Sequence, residues 1–232
     1  MLNLTDVHVS YGTTPILHDI DITVDSEEIV GIMGKNGVGK TTLIKAVMGL
    51  LEVDTGTITF DGDDVTSTGA DVRARRGMGY IPQGRDVFPE LTVEENLRMG
   101  ETIHAADNSL QYEAVYDYFP ILTERRTQTA GTLSGGQQQL LAIGRALIGN
   151  PKLLVLDEPS EGVQPSIVQD ITRDLQRVNE ELETTIIFVE QNLHVVQHLA
   201  ERCYAIDKGM IVDELGSDRL DSREAVTEYL AV

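Results

Sequence analysis

A glycine-rich segment near residue 40 has the residue types and spacing of a phosphate-binding loop. The segment GKNGVGKTT fits the pattern G-x-x-x-x-G-K-[ST]. In such a loop, backbone N–H groups surround the phosphate oxygens, and the lysine, here Lys40, reaches the outer phosphates. The hydroxyl of Thr41 can coordinate Mg²⁺. The predicted phosphate site consists of Gly34, Lys35, Asn36, Gly37, Val38, Gly39, Lys40, Thr41 and Thr42.

Two acidic residues follow an apolar run much further along the chain. The run LLVLDE covers Leu153–Glu158, and its four apolar residues predict a buried strand. Ligands of α/β sheets bind at the carboxyl ends of the strands. We therefore expect Asp157 to hold Mg²⁺ through water and Glu158 to polarise an attacking water. An Asp–Glu pair could also serve only as a turn, but its combination with a phosphate loop favours the catalytic interpretation.

A second anion site is predicted where a serine and two glycines precede a run whose apolar residues recur at helical spacing. In TLSGGQQQLLAIGRALIG, which begins at Thr132, these residues are Ser134, Gly135 and Gly136. A helix that begins there offers free N–H groups and the positive end of its dipole to an anion. The sequence alone does not say why one chain would need two phosphate sites.

Two further residues are candidates for contacts with a nucleotide. Gln83 follows a short predicted strand, where its amide can touch Mg²⁺ or water and sense the last phosphate. Tyr11 follows the first strand, where its ring can stack on adenine. The alternatives are an exposed polar loop residue for Gln83 and an aromatic ring packed on the core for Tyr11.

The elements that must position these residues form a parallel α/β core with two additions. Continuous apolar runs predict buried parallel strands, and alternating runs predict antiparallel strands. The predicted strands are Leu2–Ser10, Asp19–Val24, Glu28–Met33, Gly56–Gly62, Met78–Pro82, Lys152–Leu156, Thr185–Val189 and a hairpin over Cys203–Glu214. The predicted helices are Thr41–Leu50, one capped by Thr92 and Glu95, Ser109–Phe119, Ser166–Glu183 and a short helix at the end of the chain. Residues 84–150 are mostly helical in pattern and predict an inserted α-helical subdomain.

The composition narrows the class of protein. The chain has 232 residues, 41% of them hydrophobic, and a formal net charge of −20. Acidic residues spread along the whole chain suit a solvated surface in high salt, so we hypothesise a halophilic source. The same charge argues against nucleic acid as a partner, because a phosphate backbone requires a basic face.

The single cysteine, Cys203, is predicted to be buried and forms no disulfide framework. No apolar run is long enough to span a bilayer.

Taken together, these motifs resemble the ATP-binding subunit of ABC transporters over essentially the whole chain. LSGGQ at Leu133–Gln137 is similar to that family's signature. The resemblance implies a single ATPase domain with a P-loop NTPase core (residues 1–83 and 151–232, including an antiparallel β subdomain) and a helical insertion (residues 84–150). It also implies head-to-tail dimers, with ATP between the phosphate loop of one subunit and the signature of the other. Ser134, Gly135, Gly136 and Gln137 then serve a nucleotide held by the opposite subunit.

The resemblance also implies partners, and the chain departs from the family pattern at two positions. In the loop after Glu158, where many members have aspartate, this chain has Gln164. Most members place a histidine after the strand Thr185–Val189, and here that position holds Gln191, which can donate a hydrogen bond but cannot carry a charge. We therefore expect a heterodimer with a second ATPase subunit that supplies a histidine, although a homodimer in isolation is possible. The other implied partners are two membrane permease subunits and, indirectly, an extracellular solute-binding protein. The expected location is the cytoplasmic face of the membrane, as a peripheral protein.

Three segments resemble a narrower subfamily, the importers of urea and of branched-chain amino acids. They are YIPQGRDVFPELTVEENL, LDEPSEGVQPSIV and FVEQNL. PQGR at residues 82–85 and EGVQPSI at residues 161–167 are closer to the urea members, so urea is the favoured solute and a branched-chain amino acid the alternative. The remaining alternatives are an exporter ATPase, an ABC protein without a transport function, and a subunit that binds ATP without cleaving it.

Overall fold

A six-stranded sheet forms the centre of the molecule. The computed structural model describes residues 1–103 and 110–230. The strands lie in the order β10-β9-β3-β8-β7-β6, all parallel except β10, which pairs antiparallel with β9. Their bounds are β3 Ile29–Met33, β6 Met78–Ile81, β7 Leu153–Asp157, β8 Thr185–Glu190, β9 Arg202–Asp207 and β10 Met210–Leu215. The mostly parallel core predicted from the apolar runs is confirmed.

A second sheet of four strands is antiparallel, in the order β2-β1-β4-β5. Its strands are β1 Leu2–Tyr11, β2 Thr14–Val24, β4 Thr55–Phe60 and β5 Asp63–Asp64. Strand β2 begins five residues before the predicted Asp19, since Thr14–Leu17 continue the pairing with β1 through irregular register. This sheet is the predicted antiparallel β subdomain.

The helices cover the six-stranded sheet and fill the insertion. They are α1 Lys40–Val47, α2 Ala70–Arg75, α3 Val93–Met99, α4 Tyr112–Tyr118, α5 Pro120–Glu124, α6 Gly135–Ile148, α7 Pro165–Leu182, α8 Leu193–Leu199, α9 Ser217–Leu220 and α10 Arg223–Leu230. Short 3₁₀ turns lie at Gly100–Ile103 and Ala130–Thr132. None of the helices within residues 1–103 and 110–230 has both the length and the apolar character needed to cross a bilayer.

Several predicted helices have different bounds in the structure. The helix predicted over Thr41–Leu50 ends at Val47, because Gly49 has a φ of 67°. The predicted helix Ser109–Phe119, whose first residue lies outside the described residues, is α4, and Pro120 begins the separate helix α5. The capping box of Thr92 and Glu95 at the start of α3 is confirmed. The short helix α2 was not predicted.

Two apolar cores lie on the two faces of the six-stranded sheet. Along β7, Leu154 and Leu156 pack with the helical insertion, whereas Leu153 and Val155 pack with α1 and the antiparallel sheet. Strand β8 divides its side chains between the same two cores. Successive side chains of each strand enter the two cores in turn. Because both faces are covered, the side chains on either face are apolar and the sequence of each strand contains a continuous apolar run. Cys203 is fully buried beside them, as predicted.

Candidate nucleotide site

The phosphate loop, residues 34–39, connects β3 to α1 at the carboxyl edge of the parallel sheet. Lys40 folds back over this loop, and its ammonium donates hydrogen bonds to the carbonyl oxygens of Gly34 at 2.8 Å and Lys35 at 2.9 Å. A Cβ at Gly34 would lie 2.5 Å from the carbonyl oxygen of Ile206, so the close approach of the two backbones requires glycine. Gly39 has a φ of 113°, which favours glycine for conformational reasons.

A cavity of about 360 Å³ lies in front of the loop. Predicted residues from three parts of the chain line it. Its lining residues are Ile16, Asn36, Gly37, Gly39, Lys40, Thr41, Thr42, Gln83 and Glu158. Lys35, Lys40 and Lys45 are three of the five lysines of this acidic chain. Three of the five lysines therefore lie within or shortly after the loop that the sequence assigns to phosphate.

Glu158 reaches the same cavity from the end of β7. Its carboxylate lies 3.2 Å from the Lys40 ammonium, and both side chains are buried. The backbone N–H of Glu158 donates to the carbonyl oxygen of Val189 on the neighbouring strand β8. Glu158 also has a φ of 49°, in the left-handed region that a residue with a side chain adopts only when its surroundings impose it. The sheet edge therefore fixes the direction in which this carboxylate points.

Asp157 and Thr41 form a pair suited to a divalent cation. The Thr41 hydroxyl donates to Oδ1 of Asp157 at 3.2 Å. The other oxygen, Oδ2, is buried and has no hydrogen-bond partner within the part of the chain described. Burial raises the pKa of Asp157 to about 6. A buried oxygen that lacks a partner beside a hydroxyl fits Mg²⁺, which prefers such hard oxygen ligands.

Gln83 lines the cavity and contacts the loop that follows Glu158. We call residues 159–164, which follow Glu158, the Ser160 loop. The Gln83 amide donates to Oε2 of Glu161 at 2.9 Å. Arg85 donates to the backbone carbonyl oxygens of Glu161 at 3.2 Å and Gly162 at 3.0 Å. Gln83 is therefore held against the segment that follows the catalytic candidate Glu158.

The predicted second anion site lies at the N-terminus of α6. Ser134 is the N-cap: its hydroxyl accepts from the Gln137 N–H, and its own N–H donates to the Gln137 side chain. The Arg85 guanidinium lies so close that a Cβ on Gly135 would be 2.9 Å from Nη1. Ser134, Gly135, Gly136 and Gln137 do not line the cavity at the phosphate loop of their own chain. The two predicted anion sites therefore lie apart from each other in the chain.

Tyr11 and Gln191 also lie outside the cavity lining. Tyr11 stands at the turn between β1 and β2 with 48% of its surface exposed, while Ile16 from the start of β2 takes a place in the lining. Gln191 is exposed directly after β8. Its backbone N–H donates to the buried carboxylate of Glu190 at 3.0 Å. Tyr11 and Gln191 thus border the site and would contact only a nucleotide that extends beyond this cavity.

Sequence reasoning missed Ile16, Arg85, Glu161 and Glu190 as residues of this region. Arg85 had a visible signal, since it lies in the motif PQGR next to Gln83. Glu190 also had one, because an acid directly after an apolar strand resembles the Asp157–Glu158 arrangement. Glu161 also had one, since it begins the motif EGVQPSI. Ile16 carries no such signal, because its place in the lining depends on contacts with distant segments.

Comparisons with known proteins agree with this geometry. The ABC transporter family matches residues 17–161. The high-affinity branched-chain amino acid transport ATP-binding protein BraG of Pseudomonas aeruginosa is 42% identical, over 99% of both chains. The probable branched-chain amino acid transport ATP-binding protein LivF of Archaeoglobus fulgidus is 34% identical over 91% of this chain and 90% of its own. The lipopolysaccharide export system ATP-binding protein LptB of Escherichia coli K12 is 33% identical, over 88% of this chain and 85% of its own.

Solved structures resemble the whole chain. The ADP conformation of the ATP-binding cassette MJ1267 of an ABC transporter has a TM-score of 0.83 and 29% identity, and covers 100% of this chain and 99% of its own. A nucleotide-free ATP-binding cassette from an ABC transporter has a TM-score of 0.85 and 27% identity, with coverage of 100% and 95%.

Proposed function

Because the chain belongs to the ABC transporter family, whose cassettes hydrolyse ATP to power transport, we propose that it drives the import of branched-chain amino acids. The observation that carries this proposal is the 42% identity to BraG over 99% of both chains. Identity that extends over the full length includes the surfaces that contact other subunits as well as the nucleotide site. The exporter protein LptB has lower identity and lower coverage.

The relatives favour the branched-chain amino acid alternative over urea, which the sequence analysis preferred. That preference depended on PQGR at residues 82–85 and EGVQPSI at residues 161–167. In the structure these two segments contact each other through Gln83, Arg85 and Glu161, beside the nucleotide site. The residue types in these two segments therefore reflect the ATPase site. They do not indicate the solute, which other subunits bind.

The proposed roles follow from the contacts in the cavity. Lys40 exchanges its partner Glu158 for the outer phosphates of ATP, and Glu158 then accepts a proton from the attacking water. Thr41 and Asp157 would hold Mg²⁺, with Gln83 nearby. When bound, Mg²⁺ would neutralise charge on the phosphate oxygens. Tyr11 would stack on the adenine, and Gln191 would donate a hydrogen bond to the last phosphate.

The proposal includes a second ATPase subunit. The anion site at Ser134 would complete the nucleotide site of that subunit, because it lies outside the cavity of its own chain. Closure of the two subunits around ATP would move the insertion (residues 84–150) relative to the core (residues 1–83 and 151–232). Two membrane permease subunits would receive that movement at the cytoplasmic face of the membrane, where the chain is bound peripherally.

The test is solute-stimulated ATP hydrolysis by the reconstituted transporter. The chain, its partner ATPase, the permease subunits and the solute-binding protein would be placed in liposomes with leucine or with urea. We expect leucine to stimulate phosphate release and leucine uptake, and urea to stimulate neither. Stimulation by urea alone would favour the urea importer and contradict the proposal. Mutation of Glu158 to Gln provides a control in which neither solute stimulates hydrolysis.

A further inference from the structure

Glu190 is a buried carboxylate with hydrogen bonds to two loops of the nucleotide site. It is the last residue of β8 and only 1% exposed. Its Oε1 accepts from the Ser160 N–H at 2.9 Å. Its Oε2 accepts from the N–H groups of Gln191 and Asn192, both at 3.0 Å. Burial raises the pKa of Glu190 above its ordinary value, although these hydrogen bonds offset part of the rise. In the described part of the chain, no lysine, arginine or histidine forms an ion pair with this carboxylate.

The two loops that Glu190 joins carry residues with proposed catalytic roles. The Ser160 loop follows Glu158 directly, and Gln191 follows Glu190. The loops have one further contact, in which the Asn192 amide donates to the Ser160 hydroxyl at 3.3 Å. Backbone pairing of Glu158 with Val189 holds the same region together. The carboxylate therefore links the Ser160 loop to the Gln191 backbone, in addition to the backbone pairing that holds Glu158 against β8.

Both oxygens of Glu190 face N–H donors, which makes the acceptor-only character of a carboxylate essential. A glutamine has almost the same shape but carries one NH₂ group. Whichever way that amide is turned, its NH₂ replaces one oxygen and meets a backbone N–H, either that of Ser160 or those of Gln191 and Asn192. One loop would then lose its anchor and move away from the donor that now faces it.

We propose that Glu190 is a positioning residue for ATP hydrolysis, which fixes the Gln191 backbone and the Ser160 loop relative to Glu158. The inference rests on the roles proposed above for Glu158 and Gln191. A glutamate with only a structural role would affect stability and leave the hydrolysis of bound ATP unchanged. A positioning residue instead affects kcat, because small displacements of groups around the reacting phosphate greatly slow the reaction.

The test compares Glu190→Gln with a matched control, Asp174→Asn. Asp174 is also a buried acid, 7% exposed, but lies on α7 with Arg173 as its nearest cation at 3.7 Å. For each chain, phosphate release gives kcat and KM, calorimetry gives affinity for a non-hydrolysable ATP analogue, and thermal unfolding gives Tm. We expect Glu190→Gln to lower kcat by about 10- to 100-fold with analogue affinity nearly unchanged. Asp174→Asn should keep a kcat close to that of the wild type.

A double variant and a shorter side chain complete the experiment. Adding Gln191→Ala to Glu190→Gln should cause little further loss, because Gln191 is already displaced. If Glu190→Gln does not fold, Glu190→Asp, which keeps the charge but falls short of one loop, should still lower kcat with a Tm near the wild-type value. A wild-type kcat in either folded Glu190 variant would overturn the inference. So would a loss of kcat that matches that of Asp174→Asn. A wild-type chain without ATPase activity would instead contradict the proposed function.

Discussion

The Lys40 ammonium lies 3.2 Å from the Glu158 carboxylate, and the two side chains are 4% and 7% exposed. These are the residues proposed to bind the phosphates of ATP and to activate water. Without nucleotide, the two opposite charges form a buried ion pair. Their attraction offsets the free-energy cost of removing each charge from water. With the proposed roles, ATP would compete with Glu158 for Lys40. Binding of the phosphates would then release the Glu158 carboxylate in the same event.

Replacement of Glu158 by Gln should separate binding from hydrolysis. Glutamine cannot accept the proton of the attacking water, so we expect phosphate release to slow by at least about 100-fold. ATP affinity should not fall, because Lys40 loses its competitor. Phosphate release and calorimetry would measure the two effects. Glu161→Gln is the control, since this neighbouring side chain contacts Gln83 and not Lys40. An unchanged hydrolysis rate in Glu158→Gln would remove Glu158 from its proposed role.

The buried Asp157 predicts a specific pH dependence of stability in the absence of nucleotide and metal. Burial raises the pKa of its carboxyl from the ordinary 3.8 to about 6. The folded chain therefore binds more protons at this group than the unfolded chain between these values. The contribution of Asp157 to the free energy of unfolding is fully present below the lower value and is lost as pH rises through the higher one.

Asp157→Asn removes this titration, which makes it the matched comparison for the pH effect. Relative to the wild type, the variant should gain free energy of unfolding as the pH rises from about 4 to about 7. Urea unfolding in EDTA at several pH values would measure the difference. A difference that stays constant over this range would show that the folded carboxyl titrates normally.

Arg73 is predicted to be a major contributor to stability although it lies far from the nucleotide. It is 1% exposed, and its guanidinium donates to five backbone carbonyl oxygens, those of Ala46, Val47, Val65, Thr66 and Thr68. Arg73→Met would remove all five hydrogen bonds, although the carbonyls of Ala46 and Val65 keep a second donor from Gly49 and Thr68. We therefore expect a loss of about 3 kcal/mol in the free energy of unfolding, or about 10 °C in Tm.

Arg75→Met is the control for that substitution. Arg75 lies on the same helix but is exposed and pairs only with Asp71 among the residues described. Such a surface pair contributes about 0–1 kcal/mol. Thermal unfolding of both variants should show a large loss for Arg73 and almost none for Arg75. Equal Tm values would mean that the carbonyl groups around Arg73 find other donors.

The net charge of −20 predicts that the fold depends on salt. Repulsion among the acids is screened within about 3 Å at 1 M salt but over about 30 Å at 0.01 M. We expect Tm to be clearly higher in molar KCl than in dilute buffer at the same pH. KCl is preferable to sulfate, because sulfate strengthens apolar burial in any protein. The same Tm in both solutions would contradict the halophile hypothesis.

Features that depend on local patterns could be predicted from the sequence. Continuous apolar runs identified β7 and β8, because strands covered on both faces carry no alternation. The phosphate loop and the start of α6 were predicted from glycines and a serine at defined spacings. In these cases the residue types needed for the local backbone are also the ones that carry the chemistry.

Features that depend on contacts between distant residues could not be predicted. Gln83 and Glu161 are 78 positions apart, and no local pattern connects them. Helix α2 was missed because Arg73 looks like a surface residue, whereas its charge is satisfied by carbonyl groups from two other segments, residues 46–47 and 65–68. Glu190 looks like an exposed strand end, but the Ser160 N–H, 30 positions earlier, makes its burial tolerable.

The central claim is that each nucleotide site is shared, with Lys40 from one chain and Ser134 from the other. Because a homodimer of this chain is possible without its partner ATPase, the most direct test mixes two variants of this chain, Lys40→Ala and Ser134→Arg, and measures ATP hydrolysis with the wild-type homodimer as reference. A mixed dimer would pair the intact phosphate loop of one chain with the intact signature of the other. We predict that each variant is inactive alone and that an equal mixture recovers about a quarter of the wild-type rate, because half of the dimers have one intact site of two. A mixture as inactive as its components, or full activity of Ser134→Arg alone, would contradict the account.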